Sequence, residues 1–148
     1  MNPSVGKDVL IAAIGSQSMG ICISSIIDVL HRPQMTAVPL SGKKCAGVAN
    51  LRGNIVTMID VRACLGMKEI DEPAKMAIVV ESGKEFYGLL FDTIGDIVAT
   101  KDGAREDLPV SLAEHWHTLA DGILKMPDDI VVILNAAGLI DSAQPETI

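Results

Sequence analysis

The chain has 148 residues and 15.6 kDa, with 49% hydrophobic, 21% charged and 3% aromatic residues, and 12 basic against 19 acidic side chains for a net charge of −7. That composition suits one folded domain and excludes a disordered tail. The acid excess and the few rings (Trp116, Tyr87, Phe86 and Phe91) argue against gripping phosphate backbones or stacking bases, so no nucleic-acid partner is expected.

The first apolar run, Val9-Leu10-Ile11-Ala12-Ala13-Ile14, follows Asp8 and stops at Ser16-Gln17-Ser18. It reads as a strand rather than an export signal. No run approaches the roughly 18 residues needed to span a bilayer, so direct membrane insertion is not expected. Cys22, Cys45 and Cys64 are odd in number and form no C-x-x-C, which indicates a reducing, cytoplasmic setting.

Further runs at Met19–Ile23, Ile55–Ile59, Met76–Val80, Phe86–Phe91 and Ile130–Leu134 are Val/Ile-rich and too short for helices. Gly15, Gly42, Gly53, Ser82-Gly83, Asp102-Gly103 and Pro127-Asp128-Asp129 punctuate them. Short strands at this spacing predict a sandwich or barrel. The links are too short for the crossover helices of a parallel α/β sheet, and the nearly continuous apolar runs predict strands covered on both faces.

Between these runs, residues 47–62 read as a strand, a tight Gly53-Asn54 turn, a second strand and a short helical turn over Val61–Leu65 closed by Gly66. Arg52 falls at the hairpin tip, either as an exposed turn cation paired with a nearby carboxylate or as an interface anchor. One longer helix is expected after Pro109, where Ser111 and Glu114 form a capping box. Leu112, Trp116 and Leu119 share a face of that helix, and Gly122 can end it.

The chain repeats itself weakly. At an offset of 68, Gly15, Gly20, Ile26 and Asp28 meet Gly83, Gly88, Ile94 and Asp96. At an offset of 75, Gly47 meets Gly122 and Ile55–Asp60 meets Ile130–Asn135. Two duplicated halves, each marginal alone, are expected to pack on one another, with a groove between them for a partner. Charge divides unevenly as well: residues 1–70 carry a net +3 and residues 71–148 a net −10.

No nucleophile elbow, P-loop, zinc-protease motif or dinucleotide fingerprint is present. His115 and His117, two apart on a helix, point about 200° apart and cannot share a metal. The sequence therefore predicts neither an enzyme, nor a cofactor, nor a metal site.

The Asn50-Leu51-Arg52-Gly53 hairpin followed by Ile59-Asp60-Val61-Arg62 resembles the most recognisable stretch of the CheW-like chemotaxis coupling proteins. Ile26-Ile27-Asp28-Val29, Met35–Pro39, Tyr87–Val98, Gly122–Leu124 and Ile130–Asn135 are similar to flanking blocks of that family, in the same order, over roughly residues 8–141. The resemblance implies an all-β fold of two packed five-stranded SH3-like barrels with one or two short helices. It gives a domain over 8–140, read as subdomains of about 8–68 and 74–140 with exchange of terminal strands allowed.

It also implies a non-catalytic adaptor coupling the cytoplasmic tip of a methyl-accepting chemoreceptor to the regulatory domain of a CheA-type histidine kinase, recruited to membrane-associated receptor arrays. The alternative is a kinase-regulating relative from a pilus or surface-motility pathway that binds no receptor. By matched position, Arg52, Asp28, Ile26, Met76 and Ile97 are the receptor-groove candidates. Asp28 stands where the family usually has a glutamate, and Thr57 where a proline is common. Kinase contact is expected at exposed turns such as those near Gly42 or Gly83.

Overall fold

The apolar runs fold as hairpins on two-residue turns. In the Arg52-Gly53 and Gly83-Lys84 turns both central residues have positive φ (53° and 88°, 57° and 71°), the primed geometry that matches the twist of paired strands. The turn at the Asn-Leu-Arg-Gly tip is thus Arg52-Gly53, one residue earlier than expected, with Asn54 already in the following strand.

The computed structural model describes residues 8–37, 44–68, 74–99, 104–111 and 114–143. The strands are β1 (Asp8–Ile14), β2 (Gln17–Cys22), β3 (Ile26–His31), β4 (Cys45–Leu51), β5 (Asn54–Asp60), β6 (Met76–Ser82), β7 (Glu85–Phe91), β8 (Thr93–Ala99), β9 (Ala104–Glu106), β10 (Ala120–Met126) and β11 (Asp129–Leu134). The helices are α1 (Val61–Cys64), α2 (Glu114–Leu119) and α3 (Ala136–Ala143), and a 3-10 turn over Ile23–Ser25 joins β2 to β3. The turns expected at Gly42 and Asp102-Gly103 lie outside the described residues, as do Leu112, Ala113 and the Glu114 side chain of the capping box.

The fold is two β-sheets with short helices, as the sequence predicts. One sheet has five strands in the order β3-β6-β7-β5-β4, and the other has six in the order β8-β1-β2-β11-β10-β9. The sixth strand is β9, three residues laddered onto β10, too short to leave an apolar run. The helix after Pro109 ends at Leu119 rather than at Gly122, because Ala120 already pairs with Leu134.

Each sheet is apolar on both faces, which explains the unbroken runs. Along β6, Ile78 and Val80 enter a large core that also takes Leu10, Ala12 and Ile14 of β1 and Leu89 and Phe91 of β7. Ala77 and Val79, pointing the other way, join Val56, Met58 and Leu90 in a second cluster. Val9, Leu124, Val131 and Ile133 form the counterpart under the six-stranded sheet. The large core is therefore the seam between the sheets.

The two sheets are built alike, register by register. The β1–β2 ladder pairs Val9 with Cys22 and Ile14 with Gln17, and β6–β7 pairs Ala77 with Leu90 and Ser82 with Glu85, each partner 68 residues on. The β4–β5 ladder runs from Cys45–Ile59 to Leu51–Asn54, and β10–β11 from Ala120–Leu134 to Met126–Asp129, each 75 residues on, with a register shift at the same place. The two parallel pairings, Met58 with Gly88 and Ile133 with Gly20, are equivalent too. A Cβ on Gly88 would come within 2.7 Å of the Met58 sulfur, and one on Gly20 within 3.0 Å of Val9. At both points a neighbouring side chain packs over the glycine and an added Cβ would have to displace it, which is consistent with the two glycines recurring in step.

The hairpins are exchanged between the repeats. The first hairpin, β1–β2, sits between β8 and β11 of the second repeat, while β6–β7 sits between β3 and β5 of the first. The sheets thus divide the chain as 8–22 with 93–134, and 26–91.

Candidate functional site

Arg52, in the β4–β5 turn at one edge of the five-stranded sheet, and Asp28, on β3 at its other edge, come together. The Asn50 side chain accepts from the Gly53 amide at 2.9 Å and holds the hairpin tip that presents Arg52. Asp28, on edge strand β3, accepts from the following amide of Val29 at 2.7 Å through Oδ1. Its Oδ2 lies 3.6 Å from Arg52 Nη2, with the side chains 83% (Arg52) and 27% (Asp28) exposed. That distance makes an ion pair without a direct hydrogen bond. The contact of the shorter aspartate with Arg52 is thus not broken.

Ile26, Met76 and Ile97 lie on the seam side of their strands. Ile26 is half-buried, is paired with Val80 and packs on the large core. Met76 shares the β6 face of Ile78 and Val80, and its sulfur lies 3.0 Å from His31 Nδ1. Ile97 is 59% exposed on β8, across from Leu10 of the same core. All three therefore border the seam, Ile26 and Met76 from one sheet and Ile97 from the other, and none is fully buried. Asp28 pairs with Val79, whose side chain enters the second cluster. The Arg52–Asp28 pair thus belongs to the opposite face of β3, and the five candidates divide between two faces that meet at this edge strand.

Val29 was not singled out from the sequence, yet it belongs with them. It is exposed, lies across from Ile78 of the seam core, and is the register equivalent of Ile97 at the offset of 68. That offset already aligned Asp28 with Asp96, so one further step would have found it.

A second feature lies at the starting ends of β5 and β7, next to the Arg52-Gly53 turn. Asn54, Ile55, Thr57, Lys84, Glu85 and Phe86 line an open cleft of about 330 Å3 beside the Gly83 turn. At the equivalent place in the other sheet the Ser18 hydroxyl bonds the Asp129 carboxylate.

No group of three or more His, Cys, Asp and Glu side chains is placed to hold a metal among the described residues. Burial pushes the Cys64 thiol above its ordinary range, against weaker opposing effects of Ser142 and Lys44. A thiol held in its protonated form is a poor nucleophile. No helix among the described residues is long and apolar enough to cross a membrane.

Comparison with known proteins gives a consistent picture. The family model described as the CheW-like domain matches residues 8–144. The chain is 28% identical over 141 residues to a probable chemotaxis protein CheW of Rhizobium etli, covering 95% of this chain and 91% of the relative. It is 25% identical over 145 residues to the chemotaxis protein CheW of Klebsiella aerogenes, covering 95% and 86%. The crystal structure of the scaffolding protein TtCheW from Thermoanaerobacter tengcongensis superposes with a TM-score of 0.79 at 20% identity, over 91% of this chain and 92% of that one, and shares its fold.

Proposed function

This chain belongs to the CheW-like domain family, and from that premise we propose that it is a non-catalytic chemotaxis scaffold that couples the cytoplasmic tip of a chemoreceptor to a CheA-type histidine kinase. The names of its relatives support the pathway, and the shared fold with a protein named as a scaffold supports the scaffold role. What supports the site is that Ile26 and Met76 of the five-stranded sheet and Ile97 of the six-stranded sheet all lie on the seam side of their strands without being fully buried, while Asp28 on the other face of β3 pairs with Arg52.

A helical receptor tip offers apolar side chains at i, i+3 and i+4, a stripe that suits an apolar furrow of this kind. Arg52 supplies planar, multidentate donors at its rim. The kinase's regulatory domain takes the Gly83-Lys84 turn and the neighbouring cleft. In this reading the protein works in the cytoplasm and joins membrane-associated receptor arrays through these contacts.

Amide-shift mapping with an isolated receptor tip and, separately, with the kinase regulatory domain tests the reading. The tip is expected to perturb Ile26, Met76 and Ile97, and the kinase domain the Gly83 turn. Binding to neither overturns the proposal, and binding to the kinase domain alone replaces it with a kinase regulator that touches no receptor. Arg52→Asp is expected to weaken at least one complex and leave the thermal melt nearly unchanged.

A further inference from the structure

The chain crosses between the sheets at two register-equivalent places. It passes from β2 to β3 through Ile23–Ser25 and from β7 to β8 through Asp92. The crossings are not alike. Asp92 Oδ2 accepts from the Gly15 amide at 2.7 Å and from Arg62 Nη2 at 2.8 Å, while the Asp92 amide donates to the Ala13 carbonyl at 3.0 Å. Arg62 also donates through Nη1 to the Lys68 carbonyl at 3.2 Å.

The carboxylate thus ties three segments together: the β1–β2 turn of the six-stranded sheet, the crossing itself, and α1, which continues from β5 of the five-stranded sheet. The side chains are 16% (Arg62) and 32% (Asp92) exposed, so solvent and salt weaken the pair less than they weaken Arg52–Asp28. At the other crossing the equivalent residues are Ser24, Gly83 and Ala137, which carry no charge. Ser24 there meets Cys22 within its own turn, at 3.1 Å.

Each crossing leads directly into an edge strand bordering the seam, β3 with Val29 and β8 with Ile97. We propose that Arg62, Asp92 and the Gly15 amide form a positioning clamp that fixes the angle between the sheets, and so the width of the seam that Val29 and Ile97 border. The uncharged crossing at Ile23–Ser25 is the side on which the sheets give. The importance of that width for binding rests on the receptor-groove reading, but the clamp itself does not.

Spin labels at Val29→Cys and Ile97→Cys, in a Cys22→Ser, Cys45→Ser, Cys64→Ala background, report the distance across the seam by electron-electron resonance. Asp92→Asn, which can still accept from Gly15 but carries no charge, is expected to shift and broaden the distance distribution. Arg62→Ala is expected to do the same, and Arg62→Lys to keep the parent distribution. A parent-like distribution in both Asp92→Asn and Arg62→Ala overturns the clamp, whether or not the melt falls. If one of those variants fails to fold, the other decides. The measurement needs no partner, so it stands even if no receptor tip binds. Conversely, Ile97→Glu in the unlabelled chain tests the groove without touching the clamp.

Discussion

Arg52 adopts φ 53°, a conformation unfavourable for a side-chain-bearing residue, at the tip of an exposed turn. An ion pair as exposed as Arg52–Asp28 contributes about 0–1 kcal/mol. Its loss in Arg52→Asp leaves little for the melt to register, which is why a binding defect without a stability defect is the expected signature of an interface residue. Cys64 gives a contrasting expectation. Its buried thiol holds its proton more tightly when folded than when unfolded. Its contribution to stability is therefore complete below roughly pH 8.5 and declines as pH rises further, because the unfolded thiol ionises first. Denaturant midpoints compared between neutral and alkaline pH should fall less in Cys64→Val than in the parent. In the native protein, thiol reagents should modify Cys22 and Cys45 before Cys64. Equal labelling rates for the three would show that the site is open. The sequence placed Arg52 at a tip and Ile26, Met76 and Ile97 in strands, but it could not divide them between faces. That division depends on the register shift between Ile26 and Asp28, which no local pattern encodes.

At the scale of elements, α3 shows what was legible and what was not. The Ala136–Ala143 segment has an internal glycine and an adjacent Leu139-Ile140 pair, which suggest no helical face by themselves. The signal lay in the repeat. Asp60 caps α1 by accepting from the Ala63 amide at 3.2 Å, and Asn135 caps α3 by accepting from the Gly138 amide at 3.1 Å, each partner 75 residues on. The offset that matched Ile55–Asp60 to Ile130–Asn135, carried on through Val61–Leu65, would have predicted this helix. In an exposed helix, Gly→Ala stabilises by about 1 kcal/mol. Here a Cβ on Gly138 would overlap the Thr118 carbonyl oxygen of α2. Gly138→Ala is therefore expected to destabilise the protein by about 1–3 kcal/mol in denaturant melts. A stabilised variant would mean that α3 does not dock on α2 as described.

For the whole molecule, strand positions were readable, but which repeat each hairpin would join was not, and exchange of terminal strands was left open. A hairpin inserted into its own repeat or into the other one has the same turns, the same alternation and the same glycines. Only the sheet orders distinguish the two. The arrangement has a thermodynamic consequence, because neither sheet is complete without strands from both repeats. Tyr87, in β7 of the five-stranded sheet, and Trp116, in α2 beside the six-stranded one, both pack on the seam core. Their fluorescence should report one coincident unfolding transition, matching that of the backbone signal. Two separated midpoints would mean that the sheets fold as independent units.

The parallel pairing of Met19 with Val132 also sets an order of events during synthesis. The opening hairpin leaves the ribosome long before β11, the strand that flanks it, so its Val9 and Met19 side chains lack their β11 neighbours until that strand has been made. A prematurely terminated product would expose those same apolar side chains, which makes truncated forms of this chain natural clients for chaperones and proteases.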